Sequence, residues 1–225
     1  VISTTITETD VLACVANGEP ELHGGYQGDI YTGRVGNKNI LVKSAAGRTI
    51  AAWLNRRMLR REYRIYCRLK EVSGIPQCFG FFSGCYLVLE YIDSQTLRQG
   101  TINDRDAFFA EMLTLIKSIH ELDVAHGDLK RKNNILVTHD AHPYLIDFGV
   151  STIRKPGFHP LNHIWHSFCY QHDLNAWLKH KYDGNFQGMS AEDARYYRPL
   201  LIERIARVIK RAWTRMKNVF KPAHA

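Results

Sequence analysis

The chain contains no apolar run near the roughly 18 residues that a membrane-spanning helix needs. Val1-Ile2-Ser3-Thr4 lacks the charged and apolar regions of a signal peptide, and because Val1 stands first the native start is expected upstream. Cysteine is sparse and odd in number: Cys14, Cys67, Cys78, Cys85 and Cys169 form no C-x-x-C pair, which reads as reduced cytosolic thiols. There is no internal repeat and no low-complexity tract. Acidic residues are in deficit, 22 against 30 Lys and Arg, giving a net charge of +8. The excess sits in Arg56-Arg57 with Arg60-Arg61, in Lys130-Arg131-Lys132 and along the C-terminal stretch. A nucleic acid, an anionic membrane or a phosphorylated substrate would each answer it, as would a solvated basic surface.

What is present is an ordinary globular balance, 45% apolar and 23% charged, over 225 residues. That length suffices for one or two domains with a sizeable core.

The stretch of greatest chemical content is His126-Gly127-Asp128-Leu129-Lys130-Arg131-Lys132-Asn133-Asn134-Ile135-Leu136-Val137, followed by Asp147-Phe148-Gly149. Ile135-Leu136-Val137 and Tyr144-Leu145-Ile146 read as paired strands around a turn-like Thr138 to Pro143. Such a hairpin brings Asp128, Asn133 and Asp147 to one edge. Two carboxylates and an amide oxygen there suit a hard dication shared with a phosphate.

Upstream, the alternation predicts strands over Ile30 to Val35 and Asn39 to Lys43, after the glycine cluster Gly24-Gly25-Tyr26-Gln27-Gly28. Thr7 to Asn17 is a mixed stretch with room for a strand at Val11-Leu12-Ala13. Apolar residues from Ile50 to Leu69 predict a long helix over Thr49 to Val72. Two strands follow, Gln77 to Phe82 and Tyr86 to Ile92. Phe108, Met112, Leu115, Ile116 and Ile119 predict a helix over Ile102 to Leu122, capped by Asn103 or Asp104. His172 to Leu178 reads as the start of another helix, with Asp173 capping it or binding the loop backbone. Ser190-Ala191-Glu192-Asp193 opens a last helix, which Pro199 breaks or restarts. Beyond it Leu201, Ile205, Val208, Ala212, Met216 and Val219 form an apolar stripe beside Arg204, Arg207, Arg211 and Arg215. His159, His163 and His166 have spacing for one helix face, but Pro160 and the lack of matching Cys or acid partners argue against a metal site.

The loop resembles the catalytic loop H-x-D-x-x-x-x-N and the metal-binding D-F-G of the protein-kinase-like superfamily. Asp128 to Asn133 is five residues and Asp128 to Asp147 nineteen, as the resemblance asks. Gly25-Tyr26-Gln27-Gly28-Asp29-Ile30 is similar to the later part of the family's glycine-rich loop, with His23 where the first glycine is expected. Ile40-Leu41-Val42-Lys43 resembles V-A-I-K.

The resemblance implies an α+β, two-lobed fold in a single catalytic domain over 1–225. Its five-stranded N-lobe covers about 1–92. Its reduced, mainly helical C-lobe covers about 93–225 and includes a basic amphipathic helix over about 200–221. It implies ATP and Mg²⁺ as cofactors, with Gly25, Gly28, Ile30, Lys43, Glu62, Leu89, Glu90, Ile92 and Ile135 around the nucleotide. Glu62 pairs with and orients Lys43, with Glu71 as rival. Asp128 and Lys130 are the catalytic residues, and Asn133 and Asp147 the metal ligands. Asn134 rivals Asn133, because N-I-L also fits the pattern there.

Gly127 replaces the Arg of H-R-D, so control by a phosphorylated activation loop is not expected. The missing A-P-E and the short remaining chain are similar to minimal kinases such as the RIO and Bud32 types and the bacterial lipopolysaccharide core kinases. The favoured acceptor on that reading is a hydroxyl of a lipopolysaccharide core sugar. The alternatives are an atypical serine/threonine protein kinase and a catalytically inactive nucleotide-binding scaffold. The expected location is cytoplasmic, peripheral at an anionic inner membrane through the basic helix, and no nucleic acid is expected.

Overall fold

The computed structural model describes residues 5–18, 22–25, 28–47 and 49–199. The first element is a helix, α1 (Glu8–Asn17), where the sequence reading allowed a strand at Val11-Leu12-Ala13. The reason lies just upstream. Thr7 accepts from the Asp10 amide, and Asp10 returns a carboxylate to the Thr7 amide at 2.8 Å, a reciprocal cap that opens a helix.

A five-stranded antiparallel sheet follows, built from β1 (Leu22–Gly25), β2 (Gly28–Val35), β3 (Lys38–Ser44), β4 (Cys78–Phe82) and β5 (Tyr86–Glu90), in the order β1-β2-β3-β5-β4. Between β3 and β4 runs α2 (Ile50–Arg68), whose start Thr49 caps through the Ala52 amide. Side chains alternate along β3. Ile40 and Val42 face one side and are fully buried with Val88 and with Val11 of α1. Leu41 and Lys43 face the other. The apolar face of α1 thus seals the outer side of the sheet.

A connection over residues 91–93 leads to β6 (Ser94–Thr96), α3 (Arg105–Glu121) and β7 (Val124–Ala125). Next come β8 (Ile135–Thr138), β9 (Pro143–Leu145) and β10 (Thr152–Ile153), then α4 (Pro160–Lys181) and the short α5 (Ala191–Ala194). The expected hairpin is present, with Ile135 opposite Leu145 and Leu136 opposite Tyr144. β7 pairs with β10, so the loop between Ala125 and Ile135 is pinned at both ends.

The helix containing Asp173 begins earlier than expected, at Pro160. Proline at the first helical position loses no hydrogen bond and presets φ. α3 and α4 pack together around Phe108, Phe109, Met112 and Trp177, and the Trp177 indole donates to the Phe109 carbonyl at 2.7 Å. Among the described residues no helix is long and apolar enough to cross a membrane. The basic helix expected over about 200–221 lies outside the described residues.

Candidate active site

Lys43 occupies the middle of the sheet, with Ile30 on one side and Leu87 on the other. Its Nζ lies 2.7 Å from Glu62 Oε1 and 3.4 Å from Asp147 Oδ1. Glu62 projects from the buried face of α2 beside Leu59, Ile65 and Tyr66 and is 2% exposed. Glu71, the rival acid, lies past the helix end with its side chain 85% exposed, beside Lys70. Burial pushes the Lys43 ammonium down, but the Glu62 and Asp147 carboxylates push it up by more, so it stays above its ordinary value and charged.

The loop from His126 to Asn134 is held from behind. Asp173, in the middle of α4, accepts the His126 amide at 2.7 Å and the Gly127 amide at 2.8 Å. His120 Nε2 also meets it, at 3.1 Å. Asp173 therefore binds the loop backbone and does not cap a helix. The His126 imidazole spans the loop: Nε2 donates to the Ile146 carbonyl at 2.9 Å, and Nδ1 accepts the Asp128 amide at 3.3 Å. Ser151 Oγ donates to the His126 carbonyl.

This frame leaves the Asp128 carboxylate partly exposed. Arg131 Nε approaches its Oδ2 at 3.2 Å. Lys130, two residues on, is half-buried.

The two asparagines separate. A 3₁₀ turn over Lys132–Asn134 absorbs one extra residue. Asn134 is buried, and its Nδ2 donates to the Asp128 carbonyl at 3.1 Å and to Asp128 Oδ2 at 3.3 Å. Its carbonyl accepts the Ile146 amide at 3.0 Å, which sets it next to Asp147. Asn133 is exposed on the turn and reaches only the rim of the cleft. Asp147 itself takes a left-handed backbone, φ 65°, a conformation that Asp tolerates better than most side chains. That twist sends Phe148 into the core, edge-on against Tyr66 at 5.2 Å and 4.7 Å from the His126 ring.

Between sheet and loop lies a cleft of about 340 Å³. Ile30, Leu41 and Leu136 make its apolar walls, Leu89 lies 3% exposed, and Lys43, Asn134 and Asp147 form its polar end. Glu90 and Ile92 line it at the connection between the two parts. The Glu90 side chain is engaged, accepting the Gln77 amide at 3.0 Å.

Ile135, expected against the nucleotide, is corrected. It is fully buried in the core, and its neighbour Leu136 faces the cleft, because strand alternation gives the two opposite sides. Gly25 and Gly28 face each other across the β1–β2 pair at the sheet edge. Tyr66 was missed. It lines the cleft one turn after Glu62, and an i, i+4 step from that residue finds it. His163 and His166 each spend one ring nitrogen on a backbone carbonyl, of Lys155 and Asp123 respectively.

The buried cation and the oxygen donors gathered at the inner end of this cleft are the arrangement that the kinase resemblance implies. The family model for the protein kinase domain matches residues 20–173, and the chain belongs to that family. It is similar to serine/threonine-protein kinase D of Synechocystis sp., 39% identical over 83 residues, which are 34% of this chain and 16% of that protein. Serine/threonine-protein kinase C of the same organism is 32% identical over 111 residues, 45% of this chain and 21% of the relative. KIC1, a serine/threonine-protein kinase of Saccharomyces cerevisiae, is 28% identical over 102 residues, 41% and 9% respectively. The matches thus span between 9% and 21% of the length of these relatives. All three relatives are named as serine/threonine-protein kinases.

Proposed function

We propose that this domain transfers the γ-phosphate of ATP to serine or threonine hydroxyls of protein, with Mg²⁺. The observation that carries the reading is the cluster of Lys43, Glu62 and Asp147 at the inner end of the cleft, with Asp128 held by Asn134, which lines it. Ile30, Leu41 and Leu136 would enclose the base in front of Leu89, with backbone groups near Glu90 and Ile92 at its edge. Lys43 would meet the inner phosphates, fixed in direction by Glu62. Asp128 would orient the acceptor hydroxyl and take its proton, and Lys130 would offset charge on the transferring group.

The donor set fits a hard dication. Asp147 and Asn134 both line the inner end of the cleft, and the Asn134 nitrogen is already committed to Asp128, which leaves its amide oxygen for a cation. We assign this ligand role to Asn134 in place of Asn133 for that reason. Bound Mg²⁺ would neutralise phosphate charge; the residues supply its oxygens.

The test is transfer from labelled ATP with Mg²⁺, comparing the protein with Asp147→Ala and offering a mixed peptide library and lipopolysaccharide separately. Label on serine or threonine, absent with Asp147→Ala, is expected. Label only in the sugar would restore the lipopolysaccharide reading. ATP binding with no transfer to any acceptor would leave the inactive scaffold.

A further inference from the structure

Away from the cleft, one face of α2 carries Arg56, Arg57, Arg60, Arg61 and Arg64 along a groove of about 720 Å³. Lys155, from the segment after Asp147-Phe148-Gly149, adds a sixth cation. Among the described residues, none of the five arginines lies within ion-pair distance of a carboxylate. The one acid inside α2, Glu62, is buried on the opposite face with Lys43. Arg61 donates to the Ser151 carbonyl, which ties the helix to the segment bordering the groove.

This arrangement costs the helix stability. Arg56/Arg60, Arg57/Arg61 and Arg60/Arg64 are like-charge i, i+4 pairs, which are unfavourable on a helix. The first turn has no acid to match the helix dipole. A solvated basic face normally mixes both signs; this one does not.

At about 100° per residue the five arginines fall within an arc of roughly 140°, and Trp53 projects from within the same arc. Trp53 also lines the groove and is 54% exposed. An acidic peptide would satisfy the guanidinium groups but has no need of an exposed indole. Cations that track a phosphate backbone, with an aromatic face on which a base stacks, make a platform for a single strand.

We propose that this groove binds single-stranded nucleic acid, a site separate from the phosphotransfer cleft and independent of its acceptor.

The test is fluorescence anisotropy of a labelled 12-nucleotide single-stranded RNA on the full chain, at salt concentrations from 50 to 200 mM. Arg57→Glu/Arg64→Glu places acids beside Arg60 and Arg61, which relieves repulsion, so its melting temperature should hold or rise. Its affinity should drop by at least about tenfold, and its log–log salt slope should shrink by about 1.4, or ~0.7 for each phosphate no longer neutralised. Trp53→Ala should weaken binding roughly 5- to 150-fold. Unchanged RNA affinity in the double variant overturns the proposal. So does equal competition by a poly-glutamate peptide of matched charge, which would make the occupant an acidic protein segment. Loss in the double variant with none in Trp53→Ala overturns the single-strand assignment, as does preference for a duplex of the same length.

Discussion

The Asn134 side chain donates to the Asp128 backbone carbonyl at 3.1 Å and to its carboxylate at 3.3 Å, while Asn133, one residue earlier, faces solvent. A single step along a 3₁₀ turn decides which amide stands beside Asp147.

Asn134→Ala should therefore lower kcat/KM on the order of 10²-fold or more, the usual loss when one preorganised electrostatic partner is removed. Asn133→Ala should stay within a few-fold of the parent. A Mg²⁺ titration of initial rates for both variants checks this, and the reverse ranking would return the metal role to Asn133.

Lys43→Met leaves Glu62 buried without its cation, and removing one partner of such a pair costs about 3–5 kcal/mol. Lys43→Met/Glu62→Gln should recover much of that stability and none of the activity. Urea denaturation of the single and double variants, beside ATP turnover, separates the structural from the chemical contribution.

Asp173→Ala removes the acceptor of two buried backbone amides and the partner of His120. Each unsatisfied group costs about 1–3 kcal/mol. The variant should melt well below the parent, and amide hydrogen exchange at residues 126–127 should accelerate. Protection unchanged at those two amides would show that Asp173 does not hold the loop.

Gly127 has φ 80°, and a Cβ built there would lie 3.2 Å from Cys169 Sγ. Gly127→Arg, which restores the usual H-R-D, should destabilise by about 1–3 kcal/mol. Gly127→Asn should be milder, since Asn accepts the left-handed region more readily. Equal stability of the arginine variant and the parent in guanidinium melts would refute the strain.

Burial holds the His180 imidazole below its ordinary value, although its Nε2 donates to the Leu129 carbonyl at 2.8 Å. His166 is shifted the same way by burial. As pH falls through about 6.5, the unfolded chain takes up these protons before the folded one, so stability declines. His142 opposes this, being raised by its hydrogen bond to Glu111, but it lies at the surface where solvent screens the pair. Melting temperature should thus decrease between pH 6.5 and 5. His180→Gln, which keeps an N–H donor but cannot titrate, should flatten the slope; an identical slope would acquit His180.

Much of this architecture could be read from pattern. The strands and helices follow from alternation and periodicity, while the pairing of Lys43 with Glu62, implied by the kinase resemblance, is met at 2.7 Å. The failures have local causes. Counting five residues from Asp128 reaches Asn133, which is exposed, because a count cannot see a turn that absorbs a residue. Leu136, not Ile135, faces the cleft, because the phase of a strand's alternation is settled by its partner strand. The helix at α1 was hidden by a short apolar run, although Thr7 and Asp10 already carried its signal. Pro160 was read as interrupting a helix that it begins. The arginines of α2 were visible as a cluster, but the groove they line depends on Lys155, nearly a hundred residues away.

The interactions that assemble the cleft reach far along the chain. Lys43 and Asp147 are 104 residues apart, and the His126 amide waits 47 residues for Asp173. During synthesis the sheet has all its strands once Glu90 emerges, yet the catalytic loop lacks its anchor until α4 follows. A ribosome-bound chain that stops short of Asp173 should accordingly hold a folded sheet and no working loop. Activity would then arise late and all at once, which guards the nascent chain against premature turnover.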